Sequence, residues 1–104
     1  MYIDLLTSSL NEWVMDPGEE ELIDHVLACR FEMLISTPRY EENVYSALAS
    51  EIAYDRSLIK LSEAHGIKAS ARLFVRPAEE RRRLEHALAD ADVDLTDLAH
   101  RRRR

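Results

Sequence analysis

Four residues among the first 55 have types and positions that could do chemistry: His25 and Cys29 four apart, Arg30 beside them, and Asp55 further on. An imidazole and a thiol at that spacing share one face of a helix and make half of a metal site, with Glu21 a turn earlier and Glu32 nearby. Carboxylate-bridged sites in helical bundles use Glu-x-x-His pairs on facing helices, and the chain has none. A lone cysteine on an apolar helix face usually packs. No metal and no cofactor are therefore expected. The chain also lacks a nucleophile with an adjacent base and a glycine-rich phosphate loop, so a non-enzymatic protein is expected.

Arg30 and Asp55 raise a different question, because each interrupts an apolar stripe. Arg30 falls between Val26 and Leu34, and Asp55 among Leu48, Ile52 and Ile59. A charge at such a position is costly unless it is paired. In an antiparallel hairpin turning near Pro38, Arg30 is level with residue 45, which makes Glu41 and Tyr45 its nearest partners. Asp55 then faces the basic 72–83 segment, for instance Arg72 or Arg76. Arg30, Asp55 and Glu41 are the candidate buried charges.

The elements that position these residues follow from the punctuation. Two glycines and three prolines fall at four places, Pro17-Gly18, Pro38, Gly66 and Pro77, and the stretches between them are rich in Leu, Ala, Glu and Arg. Proline suits the first turn of a helix and glycine the position just past its end. Ile3, Leu6, Leu10, Trp13 and Val14 are spaced as one face of a first helix over 3–14. Asp16-Pro17-Gly18-Glu19 has the order of an N-cap, a proline at the first helical position and an acid completing a capping box. The helix it opens is apolar over more than half its circumference through Ile35, which calls for neighbours on two sides. Thr37-Pro38 opens a third helix that ends at Gly66, and Pro77 opens another over 77–91. Asp94-Leu95-Thr96-Asp97 caps a last short helix that frays into Arg101–Arg104. Residues 67–75 alternate apolar and polar, yet no second strand candidate exists to pair with them, so an extended linker is expected. The sequence thus predicts an all-α bundle of four to five helices built on a long antiparallel hairpin. It forms a single domain over 1–100 with a basic tail at 101–104.

The last third, Ile67-Lys68-Ala69-Ser70-Ala71-Arg72-Leu73, then a helix with Leu84, then Val93-Asp94-Leu95-Thr96-Asp97-Leu98, resembles in layout a ribbon-helix-helix DNA-binding domain. That resemblance implies a dimer whose paired strands enter the major groove, with Lys68, Ser70 and Arg72 reading bases and Ala69, Ala71 and Leu73 facing the core. Arg101, Arg102, Arg103 and Arg104 would add phosphate contacts. A helix-turn-helix over 84–101 is disfavoured because Asp92 stands where that motif favours glycine.

Charge is distributed unevenly. Residues 1–55 carry two basic and twelve acidic side chains and residues 56–104 twelve basic and eight acidic, or −10 and +4, which sum to the net −6 of the chain. Halves of opposite sign can pair within one molecule or between molecules. The first cation is Arg30, which leaves no basic region for a signal peptide, and no apolar run approaches a membrane span. With Cys29 the only cysteine, an internal disulfide is excluded and a cytoplasmic protein is expected. The function expected from this balance is a non-catalytic interaction or regulatory module that binds a protein partner or dimerises through surplus apolar surface, with Trp13, Phe31 and Ile35 as candidate interface residues. The alternative is a dimeric DNA-binding regulator acting through residues 67–104.

Overall fold

The first helix holds because Leu6 sits fully inside the core while Asp4, Thr7 and Ser8 face solvent, the pattern of an element with one apolar stripe. This α1 covers Tyr2–Asn11. The structure, a computed structural model, describes residues 1–14, 17–36 and 44–102. Within them α1 is followed by α2 (Glu19–Ser36), α3 (Val44–Ala64), a 3₁₀ turn (Ala71–Leu73), α4 (Pro77–Asp90) and α5 (Leu95–Arg102). The protein is an all-α small bundle, as its punctuation predicts. No strand occurs among the described residues, and 67–75 is linker enclosing the 3₁₀ turn.

Element ends depart from the sequence reading at three places. The first helix stops at Asn11, so Trp13 and Val14 lie beyond it and Val14 is exposed. The second starts at Glu19 rather than Pro17. Its first turn is closed by the Leu22 amide donating to the Gly18 carbonyl at 2.9 Å, and Glu19, Glu20 and Glu21 sit where the helix dipole favours acids. Asp16, the expected cap, and Thr37, Pro38 and Glu41 lie outside the described residues. The last helix continues through Arg102, so the basic end is helical to that point.

The core is organised around α3. Tyr54, Asp55, Ser57, Leu58, Ile59, Leu61 and Ser62 are all buried, and at ~100° per residue they span about 200° of its circumference. A helix buried that widely needs several neighbours. They are α2, which makes the most extensive contact, then α1 and α4. Phe74 from the linker and Leu84 and Leu88 from α4 complete the interior. Truncating a residue such as Leu58 to alanine is worth about 2–5 kcal/mol, because the site is enclosed on every side.

Two helix ends share one solution. At the end of α3 the Ile67 amide donates to the Ser62 carbonyl at 2.9 Å and the Gly66 amide to the Glu63 carbonyl at 3.0 Å, with Gly66 at φ +73. This is the Schellman arrangement, which requires a left-handed residue. At the end of α4 the Val93 amide donates to Leu88 at 2.8 Å and the Asp92 amide to Ala89 at 3.0 Å, with Asp92 at φ +67. Asp92 therefore occupies the glycine-like position itself, and the objection drawn from its side chain does not hold. The turn delivers Val93 and Leu95 into the core, and the Asp94 carboxylate accepts the Asp97 amide at 3.1 Å, capping α5.

Candidate functional site

Asp55 is fully buried on α3, and α4 brings it a partner. Arg81 donates through Nε to Oδ1 at 2.7 Å and through Nη2 to Oδ2 at 2.8 Å, a bidentate pair. The Tyr2 hydroxyl of α1 donates to the same Oδ2. Three helices thus meet on one carboxylate. Burial opposes the charge on Arg81, but the hydrogen bonds to Asp55 and its charge outweigh that and hold the guanidinium pKa above its ordinary value. Burial, then the Asp55 charge, pushes the Tyr2 phenol upward. The expected partners were Arg72 or Arg76. Arg72 instead faces solvent, and Arg76 pairs with Glu79 at 3.6 Å.

Tyr54 precedes Asp55 on α3 and is also buried. Its hydroxyl donates to the Glu85 carboxylate of α4, and burial followed by that carboxylate raises its pKa. Arg30 lies near enough for its charge to favour the phenolate, the opposite effect. Arg30 is half-buried as a residue rather than enclosed, and its guanidinium donates to Thr96 Oγ1 of α5 at 3.5 Å in an exposed contact. Tyr45, expected beside it, is 86% exposed, and Glu41 lies outside the described residues.

His25 and Cys29 do meet, with Nε2 and Sγ 3.6 Å apart. Burial lowers the histidine pKa and raises that of the thiol, so both shifts favour the neutral forms. His25 also packs edge-on against Trp13 with ring centroids 5.5 Å apart, and the Arg56 guanidinium sits 4.9 Å over the indole. Trp13 is thereby docked within the chain. No group of three metal-capable side chains occurs among the described residues.

Beside Arg30 runs an apolar trough between α2 and α5, about 620 Å³ in volume, walled by Leu27, Ala28, Phe31, Leu34 and Ala99, with Asp24, Thr96 and His100 at its edges. The candidate interface residues Phe31 and Ile35 are 45% and 44% exposed, and Leu34 between them is 49% exposed. Sequence spacing gives the α2 wall but not its pairing with α5, because Thr96, Ala99 and His100 follow one another too briefly to stand out as a stripe.

The candidate nucleic-acid contacts differ in their exposure and pairing. Lys68 and Arg72 are exposed, Ser70 is half-buried, and Ala71 and Phe74 are buried on either side of Arg72. Arg101 pairs with Asp97 at 3.2 Å, and Arg103 and Arg104 lie outside the described residues.

The fold and these sites define a small all-α bundle with a clamped polar core and an open apolar trough between α2 and α5. Comparison with models of known families, with curated proteins and with solved structures finds no match. No helix among the described residues is long and apolar enough to cross a membrane.

Proposed function

We propose that this protein is a non-catalytic interaction module whose partner surface is the outer face of α2. One observation carries the reading: Phe31, Leu34 and Ile35 lie exposed together in the last two turns of α2, and exposed Val44 and Tyr45 begin α3. A soluble domain scatters its exposed apolar side chains, and a run of them on one element marks a surface that another molecule covers. The positions 27, 31 and 34 are spaced as the anchors of a helix laid into a groove. The polar clusters support a structural rather than catalytic role. Asp55 is sealed by Arg81 and Tyr2, Glu85 is engaged by Tyr54, and burial favours the neutral forms of His25 and Cys29.

The partner is a protein, either a second copy or another chain. The test compares wild type with a Phe31→Asp/Ile35→Asp variant by sedimentation equilibrium and by capture from extracts of the source cell, with thermal melting as the check on folding. The reading expects association that the variant loses without a fall in melting temperature. A wild type that is monomeric, and captures nothing that the variant does not also capture, removes it.

A further inference from the structure

We propose that the trough between α2 and α5 is a binding site for a small amphipathic carboxylate, a medium-length alkyl chain ending in a carboxyl group, with Arg30 as the anchor. This goes beyond the partner surface in assigning the trough a small ligand, and it shares Leu27, Phe31 and Leu34 with that surface.

The volume comes first. At about 620 Å³ the trough falls within the usual range of small-ligand pockets, roughly 300–1,000 Å³. Its walls are alkyl and aromatic, from Leu27, Ala28, Phe31, Leu34 and Ala99. Such a surface takes an apolar chain and gives no hydrogen bonds to a polar one. Ala28 and Ala99 keep it open, where longer side chains would fill the space.

Arg30 decides the head group. A guanidinium has five N–H donors in a fork that matches a carboxylate, and among the described residues the hydrogen bond shown for Arg30 is one long contact to the Thr96 hydroxyl. Among the described residues no ion pair is shown for Arg30, while Asp55 is engaged by Arg81 and Tyr2. Arg30 lines the apolar trough, and among the described residues one long contact is all that its guanidinium is shown to make, which places a cation where a ligand's anionic head can reach it.

The experiment titrates the full chain with decanoate below its micelle concentration, followed by amide chemical shifts and by calorimetry. Decylammonium, with the same tail and the opposite charge, serves as the control. Saturable one-to-one binding is expected, with shifts concentrated at Leu27, Ala28, Phe31 and Ala99, at least tenfold tighter than for decylammonium. Arg30→Gln should weaken decanoate at least tenfold, as loss of a charged hydrogen bond does. Ala99→Trp fills the trough from α5 and should abolish binding, and it keeps the site testable if Arg30→Gln lowers the melting temperature. Equal affinity for the two amphiphiles, shifts elsewhere, indifference to both substitutions, or no binding of decanoate overturns the proposal. Because Phe31 is common to both sites, the partner surface is read separately by sedimentation of the single Ile35→Asp variant, whose side chain does not line the trough; association lost in that variant with decanoate binding unchanged keeps the two readings apart.

Discussion

Arg81 grips Asp55 through two parallel hydrogen bonds, 2.7 and 2.8 Å long, with the carboxylate fully buried and the guanidinium nearly so. Breaking one side leaves the other charge without compensation inside the core. Arg81→Met is therefore expected to cost about 3–5 kcal/mol in urea unfolding, and Asp55→Leu as much. Removing the whole cluster at once is a different experiment. The triple variant Tyr2→Phe/Asp55→Leu/Arg81→Met leaves no orphaned polar group and should recover most of the loss. If the triple variant is as unstable as the sum of the singles, the cluster acts through packing and not through charge.

Tyr2 and Tyr54 donate to buried or half-buried carboxylates, and both phenols are raised from the ordinary value of 10.0. A group whose folded pKa is raised contributes stability that is complete below the unfolded pKa and lost as pH rises through the folded one. Stability should therefore fall from about pH 10 upward, beyond the general alkaline loss. Tyr54→Phe should remove part of that slope while costing stability at neutral pH, where the Glu85 carboxylate loses its donor. Urea midpoints measured across the alkaline range for wild type and the two Tyr→Phe variants decide it.

The helical class was legible because proline and glycine punctuate helices and nothing else in this chain competes. Gly66 was readable as a left-handed terminus for the same reason, since only glycine enters φ > 0 freely. Asp92 was not, because its backbone angle is set by the pull of Val93 and Leu95 into the core. The buried acid was legible in Asp55, an anion amid Leu48, Ile52 and Ile59. Its partner could have been found as well. Arg81 stands three and seven residues before Leu84 and Leu88, so it extends the buried stripe of α4 by one turn, whereas Arg72 and Arg76 belong to no stripe. The burial of Arg30 was overestimated because periodicity reports which helix face a residue shares and not what covers that face. Here α5 covers it on one side and leaves the trough open.

His25 makes a prediction of the opposite sign. Burial, and then the charge of Arg56, lowers its pKa from the ordinary 6.5. A histidine lowered in the folded state is protonated first in the unfolded chain, so the unfolded state binds more protons and stability rises with pH. The contribution is present above 6.5 and is lost as pH falls below it. His25→Gln should flatten the stability profile between about pH 7 and pH 5 relative to wild type. Trp13, the only tryptophan, packs on His25 and supplies the fluorescence signal for both measurements. A profile unchanged by the substitution would mean that the imidazole is as free to protonate in the fold as out of it.

The two left-handed termini give paired substitutions with opposite outcomes. A Cβ built on Gly66 meets no atom within 4 Å, so Gly66→Ala isolates the backbone cost of φ +73, about 1–2 kcal/mol. Asp92 already bears that cost at φ +67, and Asp92→Gly should raise stability by up to about 1 kcal/mol. Thermal melts of the two single variants and the double test this, and additivity is expected because the sites share no partner. Loss of stability on Asp92→Gly would show that its carboxylate contributes more than its backbone angle costs.

Lys68 and Arg72 lie on a segment whose geometry argues against their reading DNA as a ribbon. A strand over 67–73 would place Lys68, Ser70 and Arg72 on one face and Ala69, Ala71 and Leu73 on the other. The chain instead turns through a 3₁₀ helix at Ala71–Leu73, with Ala71 and Phe74 both buried and the Phe74 amide donating to the Ala71 carbonyl at 3.0 Å. Straightening it would withdraw Phe74 from the core, at about the 3–5 kcal/mol of a buried phenylalanine truncation. Duplex binding that released several counterions would fall steeply with salt. Fluorescence anisotropy of a labelled duplex is accordingly expected to show no binding at physiological salt, and any weak low-salt binding should respond only slightly to Lys68→Ala/Arg72→Ala. Tight, salt-steep binding abolished by that double substitution would mean that this turn opens into a strand on dimerisation, and that the core around Phe74 is rebuilt when it does.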